Sequence, residues 1–341
     1  MTQDATMNDK MPVLVTGGAG YIGSHAVLAL REAGWPTVVI DDLSTGFREA
    51  VPADVPFYEG NVSDTVLLEQ VFIEEGIGAI MHFAGSVVVP DSVSDPLGYY
   101  DNNTVKSRAL IEAAVEAGIA NFLFSSTAAV YGMSDEGTVT EDTPTRPINP
   151  YGWSKLMTEQ MLADAGRAHG LTWAALRYFN VAGADPKGRV GQSTDGATHL
   201  IKVACEAALG KRDKVAIFGT DFPTEDGTGV RDYIHVADLA EAHVLTLEAM
   251  IADTGPGRIM NCGYGRGFSV RQVLETVAKV SGRSFEIEET DRRPGDTPQL
   301  VADASTLRET VGWQPRHDDL TTIVRHALAW ERKSADEFQT A

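Results

Sequence analysis

Over the first half of the chain, short apolar runs alternate with stretches in which apolar positions return every three or four residues. The runs predict strands near 12–16, 36–41, 55–59, 78–84, 121–127 and 172–178. The helical periods predict helices near 21–33, 64–74, 96–117 and 152–169. Strands that alternate with helices in this way pair in parallel, so the expected fold class is α/β: a Rossmann-type doubly wound parallel sheet. After Asn180 the rhythm loosens. Gly183 to Gly196 is rich in glycine, aspartate and small residues, and beyond it a short strand at 215–218 mixes with helices near 197–209, 236–250, 269–280 and 318–332. We therefore expect a first domain over 11–181, to which 236–262 is expected to return, and a smaller mixed α/β domain over 182–341. Residues 1–10 read as a disordered polar tail. No internal repeat or low-complexity tract interrupts the pattern.

The first helical period opens on glycine. Val13-Leu14-Val15-Thr16 runs through three glycines spaced by three (Gly17, Gly20, Gly23) into Ala26, Leu28, Ala29 and Leu30. Such glycines permit a tight strand-to-helix turn, let a pyrophosphate approach the backbone and bring the helix close to the sheet. A glycine triplet alone fits a plain turn equally well. Asp41-Asp42 sharpens it: the pair ends the next apolar run, about 20 residues on, where a carboxylate accepts from ribose hydroxyls and repels a 2′-phosphate. The implied cofactor is NAD rather than NADP, and the plainer use of the pair would be to cap a loop.

Tyr151 and Lys155, in Asn149-Pro150-Tyr151-Gly152-Trp153-Ser154-Lys155, lie four residues apart at the start of a helical stretch, so phenol and ammonium share a face. A phenol with a pKa of about 10 is a poor base at neutral pH, and a nearby cation stabilises its phenolate. A bare Tyr-x-x-x-Lys is more often a buried tyrosine beside a surface lysine. Here it follows the glycine turn and the strand end Phe124-Ser125-Ser126-Thr127. The Thr127 hydroxyl is placed to orient the same substrate oxygen, although any of these three hydroxyls could instead satisfy strand-end backbone groups.

Composition limits the partners. With 341 residues, 43% hydrophobic and 22% charged, the chain is that of an ordinary globular protein. Its net charge of −20 argues against a nucleic-acid surface, so a phosphate-bearing ligand must find local arginines. Cys205 and Cys262 have no paired spacing, which indicates neither a disulfide framework nor a metal site and fits a reducing cytoplasm. Met1 to Met11 is polar, and no later run reaches the length of a membrane span.

An ordered set of motifs narrows the reading. Thr16 to His25, His82-Phe83-Ala84-Gly85, Tyr99-Tyr100-Asp101-Asn102-Asn103, Tyr151 to Lys155, Leu176-Arg177-Tyr178-Phe179-Asn180 and Gly229 to Val236 together resemble the UDP-glucose 4-epimerases of the extended short-chain dehydrogenase/reductase superfamily. The likeness runs from about Met11 to the final helix. It implies an isomerase that reversibly inverts C4 of UDP-hexoses through a transient 4-keto sugar, using NAD that stays bound and emerges oxidised. Tyr151 would be the base, with Thr127 and Lys155 completing the catalytic set. Tyr21, Ile22, Asp41, Asp42, Phe83 and Ala84 match cofactor contacts, as do Gly85, Asn102, Lys155 and Phe179, while Asn61 and Val62 fall in a strand-end motif beside the adenine. Asn180, Leu200, Ala216 and Phe218 match UDP-sugar contacts, as do Arg231, Arg293 and Asp296. Taken singly, Phe218 would be core and either arginine a surface ion pair. In so acidic a chain, however, the arginines are apt partners for a pyrophosphate. The resemblance also implies a homodimer, through apolar residues on the helices at 96–117 (Leu110, Ile111, Ala113, Ala114) and 152–169 (Leu156, Met157, Met161, Leu162). Burial against the sheet would explain these residues as well.

Several positions depart from the family pattern. Asn61 stands where Asp is usual, and its amide oxygen can still accept from an adenine amine. Val87 stands where the best-known bacterial members carry a lysine, and His199 replaces a uridine-side asparagine. Leu300 falls where members restricted to glucose and galactose often carry tyrosine, so some N-acetylhexosamine is expected to be tolerated. Neighbouring chemistries fit less well. A 4,6-dehydratase usually has an Asp-Glu pair directly after the threonine, where this chain has Ala128-Ala129. A sugar-acid decarboxylase needs groups that read a C6 carboxylate, and a UDP-pentose epimerase would share the machinery. A catalytically silent NAD-binding protein has no need of Thr127, Tyr151 and Lys155 together.

Overall fold

The computed structural model describes residues 10–134, 137–194, 196–255, 257–293 and 296–339, with side chains through Ser334. All of the expected tail but Lys10 lies outside them. The chain forms two compact units. Unit 1 runs to Ser126 and takes in Asn149–Leu176 and Ala240–Ile259; unit 2 comprises Thr127–Ile148, Arg177–Leu239 and the chain from Met260 onward.

Unit 1 is built on a seven-stranded sheet in the order Arg258–Cys262, Thr172–Tyr178, Asn121–Thr127, Ala79–His82, Val13–Thr16, Thr37–Asp41, Phe57–Glu59. The strands Val13–Thr16, Thr37–Asp41 and Ala79–His82 are buried at every position, which is why they read as continuous apolar runs rather than alternating ones. Leu14, Ile80, Leu110 and Phe122 form the centre of the core. The chain leaves Val13–Thr16 on one side for Thr37–Asp41 and returns on the other side at Ala79–His82, both in parallel register. The order of strands therefore reverses between Val13–Thr16 and Ala79–His82, and ligands of such sheets bind beyond the carboxyl ends at that point.

Two helices of unit 1 depart from the sequence expectation. The stretch expected as one helix over 96–117 consists of Pro96–Tyr100, a wider π turn at Asp101–Val105, and Lys106–Glu116. In the wider turn the Asn103 carbonyl accepts from the hydroxyls of Ser107 (2.6 Å) and Thr158 (3.3 Å). Such turns recur at functional sites. The helix Pro150–His169 starts two residues before the expected 152. Asn149 caps it by accepting from Gly152 N (2.8 Å), and Pro150 suits the first position because no amide hydrogen is needed there.

In unit 2, Val230–His235 runs antiparallel to Gly267–Ser269 and parallel to both Gln299–Ala302 and Asn180–Ala182. Gln299–Ala302 also pairs with Thr138–Val139, and a separate ribbon joins Lys214–Phe218 to Glu286–Thr290. This unit is the mixed α/β domain. Its boundary differs from 181/182 because Thr127–Ile148 belongs to it: Thr138–Val139 extends its sheet, Tyr131 donates to Asn261 Oδ1 (2.6 Å), and Glu141 accepts from Asn261 N (2.7 Å).

Candidate functional site

The first turns of Pro150–His169 carry Tyr151, 6% exposed, and Lys155, 2% exposed. Lys155 Nζ donates to the Ser125 carbonyl (3.1 Å) and lies 4.9 Å from the centroid of the Phe124 ring. The cation is thus fixed at the carboxyl end of Asn121–Thr127. Burial pulls its pKa down to about 8, so it keeps its proton at neutral pH. One turn further on, Glu159 accepts from Ser126 Oγ (2.5 Å).

Around Lys155 lie several of the expected cofactor residues. A Cβ added to Gly85 would stand 3.8 Å from Lys155 Nζ and 2.9 Å from Asn103 Oδ1, and one added to Gly17 would stand 2.6 Å from Ala84 N. Phe83, Ala84, Gly85 and the glycine turn therefore share one place with the lysine. Asn102 donates to Ser86 Oγ (2.9 Å) and accepts from Lys106 (2.9 Å). Sequence reasoning missed Asn103, Ser86 and Ser154. The Asn103 amide accepts from Ser86 N (2.7 Å) and donates to the Ser86 carbonyl (2.9 Å) and to Ser154 Oγ (3.1 Å). The available signal was an asparagine, a poor helix former, buried within an apparent helix.

The glycine turn fits a dinucleotide by its space. A Cβ at Gly23 would stand 2.1 Å from the Gly17 carbonyl, and the twelve-residue helix Tyr21–Glu32 begins at Gly20 without a side-chain cap, leaving backbone N–H groups for an anion. The acidic pair divides its work. Asp41 is buried, and its oxygens accept from Ala19 N (2.9 Å) and Leu43 N (2.9 Å); burial pushes its pKa up. Asp42, the next residue, is exposed. Its oxygens accept from Ser44 and from Asn61 Nδ2 (3.1 Å). Asn61 Oδ1 in turn accepts from Ser63 N (3.1 Å) and Oγ (2.9 Å), beside the buried Val62.

In unit 2, Thr127 is buried and its hydroxyl accepts from Ala129 N (3.2 Å) at the turn Ala128–Val130. Four expected substrate residues come together. Arg293 Nε donates to Asp296 Oδ2 (3.0 Å), and its guanidinium lies 4.5 Å from the Phe218 ring centroid. Arg231 Nη2 lies 4.0 Å from Asp296 Oδ1. Leu300 is the parallel-register partner of Arg231, and Ala216 shares a strand face with Phe218. Two cations with one carboxylate make a local positive site in an acidic chain. Asn180, exposed, pairs in register with Tyr233, and Phe179 before it is buried. His199 precedes the helix that starts at Leu200, and its Nδ1 is 2.8 Å from Gln192 Nε2; burial lowers its pKa.

A parallel α/β sheet with a glycine turn at its switch point, an acidic pair after the second strand and a buried tyrosine and lysine on one helix turn defines an enzyme of the dinucleotide-dependent Rossmann class. Residues 13–263 match the NAD dependent epimerase/dehydratase family. The UDP-glucose 4-epimerase of Azospirillum brasilense is 61% identical over 320 residues, 94% of this chain and 92% of that protein. The chain belongs to the NAD dependent epimerase/dehydratase family. Among solved structures, the UDP-glucose 4-epimerase of Bifidobacterium longum in complex with NAD+ and UDP has a TM-score of 0.90 at 36% identity, covering 96% of this chain and 99% of that one. The UDP-Glc/GlcNAc 4-epimerase of Campylobacter jejuni has a TM-score of 0.83 at 44% identity, covering 95% and 99%.

Proposed function

We propose that the protein interconverts UDP-glucose and UDP-galactose by reversible epimerisation at C4. The observation that carries this reading is the buried Lys155 ammonium, held at the Ser125 carbonyl one helical turn from Tyr151. A cation so placed favours the phenolate of Tyr151, which takes the proton of the sugar 4-hydroxyl and later returns it. Thr127 orients that oxygen. NAD supplies, when bound, the reversible hydride acceptor that lets C4 pass through a ketone. Gly17, Gly20 and Gly23 make room for its pyrophosphate beside Tyr21 and Ile22, and Asp42 meets the ribose, with Asp41 shaping the turn. Asn61 and Val62 flank the adenine. Phe83, Ala84, Gly85, Asn102 and Phe179 complete the cofactor contacts. Arg231 and Arg293 hold the diphosphate, with Asp296 fixing their orientation. Asn180, His199, Leu200, Ala216 and Phe218 hold the uridine, so that the keto sugar turns over while its nucleotide stays anchored.

Leu300 in place of a larger aromatic, together with the dual name of the Campylobacter relative, supports extending the substrates to UDP-N-acetylhexosamines. Two buried free thiols suit the cytoplasm, and a homodimer is the assembly we favour. Among the described residues no helix is long and apolar enough to cross a membrane. The test is purified protein mixed with UDP-galactose and no added coenzyme. Conversion to UDP-glucose, abolished by Tyr151→Phe, is the expected result, whereas retained NAD without conversion would mark a silent binding protein. UDP-GlcNAc turnover no faster than a no-enzyme control would remove the extension to acetylated sugars.

A further inference from the structure

His82 closes the strand Ala79–His82 beside the switch point and is 1% exposed. Its Nδ1 lies 2.7 Å from Thr16 Oγ1 and its Nε2 lies 2.8 Å from Ser107 Oγ. Counting hydrogens fixes the direction of both bonds. Ser107 has one hydroxyl hydrogen, and the Asn103 carbonyl, which can only accept, lies 2.6 Å from its oxygen. Ser107 therefore donates to Asn103 and accepts from His82 Nε2–H. Burial, with the charge of Lys155 adding to it, holds the pKa of the ring down at about 3, so the ring is neutral and Nδ1 carries a lone pair. The Thr16 hydroxyl donates to that lone pair, and its oxygen accepts in turn from Ala84 N (3.4 Å).

The result is one directed chain from Ala84 N–H through Thr16, His82 and Ser107 to the Asn103 carbonyl. It starts on the segment that meets Gly17. It ends on the residue whose amide holds Ser86 and Ser154, the neighbour of Lys155. The ring itself stacks on Phe124 (5.7 Å between centroids), the same ring that lies beside the Lys155 ammonium. An apolar side chain at 82 would fill that space. It would accept nothing from Thr16 and donate nothing to Ser107.

We propose that His82 is a positioning residue of the cofactor site: as the neutral Nε2–H tautomer it ties Phe83–Gly85 and the Asn102–Asn103 turn to the strand that carries the glycine turn. It thereby sets the grip on NAD and the placement of Lys155. This inference rests on the dinucleotide reading of the site, and its test separates the two. Long-range ¹⁵N–¹H NMR of the histidine-labelled holoprotein at pH 7, with His82→Gln used to assign the signal, should show the Nε2-protonated form; an Nδ1-protonated or doubly protonated ring overturns the proposal whatever the activity. Ser107→Ala, which removes the acceptor for His82 Nε2–H together with the donor to the Asn103 carbonyl, and His82→Phe should each lower kcat about tenfold and release NAD on gel filtration, while KM for UDP-galactose stays within about twofold. His82→Gln, whose amide both accepts and donates, should recover part of the NAD retention. Ser107→Ala that keeps its NAD and its kcat at the parent level overturns the proposal. Failure of the parent itself to hold NAD or to convert UDP-galactose would instead sink the functional reading.

Discussion

Lys155 shows how far a single residue can work against the stability of the fold that holds it. Burial lowers its pKa from 10.5 to about 8, a penalty of about 3 kcal/mol on the folded chain wherever the residue is protonated in both states. Below pH 8 that penalty is fully present. Between pH 8 and 10.5 the unfolded chain binds a proton that the folded chain does not, so the folded state gains stability as the pH rises. In the NAD-free protein Lys155→Met should therefore be more stable than the parent at pH 7, by about 1–3 kcal/mol once the lost bond to Ser125 is counted. The advantage should shrink toward pH 10, and turnover should fall by at least about 100-fold. Paired thermal melts across this range check it. A difference that stays flat with pH would show that desolvation of the ammonium is not its source.

Asp42 and Asn61 are coupled through a single hydrogen bond. The Asn61 amide donates to Asp42 at 3.1 Å, so an aspartate at 61 would set two carboxylates against each other. Burial raises the pKa of Asp42, but bonds from Ser44 and Asn61 and the charge of Lys106 bring it below the usual value. The departure at 61 and the aspartate at 42 therefore form a matched pair. Asn61→Asp should weaken NAD binding about tenfold, and the exchange Asp42→Asn with Asn61→Asp should recover most of it. Fluorescence titration of the stripped protein closes the cycle. Strictly additive losses would mean that the two side chains act separately.

At the scale of elements, the cap of Pro150–His169 matters because Tyr151 sits in the first turn. Asn149→Ala leaves the Gly152 N–H without its acceptor and should cost about 1 kcal/mol, with kcat reduced through fraying around Tyr151. Asn149→Asp should restore both. Melting temperature and kcat measured together decide it, since a stability loss with unchanged kcat would separate the cap from the base. This start was legible in the sequence, because Asn-Pro ahead of an apolar period is a local signal. So were the interior strands of unit 1, whose burial on both faces leaves near-continuous apolar runs. Of the strands of unit 2, Lys214–Phe218 was legible as the run at 215–218, and the others were not. Glu286–Thr290 is almost wholly exposed and carries no alternation, and Thr138–Val139 is two residues long and exists only through its partner. The site divides the same way. Glycine spacing and the four-residue step from Tyr151 to Lys155 are properties of neighbouring positions. Asn103, Ser154 and His82 matter through contacts between distant ones, such as His82 with Thr16 66 residues away, and no local pattern encodes those.

For the whole molecule, the number of chains it contains follows from which apolar side chains a single chain leaves exposed. Of the residues that pointed to a helical contact, Leu110, Ile111, Ala114 and Leu162 lie buried within unit 1 and need no second copy. Met157 of that set is exposed, as is Trp153 one turn before it on Pro150–His169, and exposed Val93 and Leu97 lie on Val89–Ser94 and Pro96–Tyr100, short helices packed against it. Scattered singly such residues mean little, but gathered on adjoining helices they form a face. A net charge of −20 on each chain opposes self-association, so contact through this face should strengthen as salt screens that repulsion. Light scattering should give a dimer mass whose dissociation constant falls between about 20 and 200 mM NaCl. Met157→Glu should halve the mass while leaving the melting temperature of the dilute chain within about 1 °C, since an exposed position contributes little to the fold of one copy. A Met157→Glu protein with the parent's mass would place the contact on some other surface.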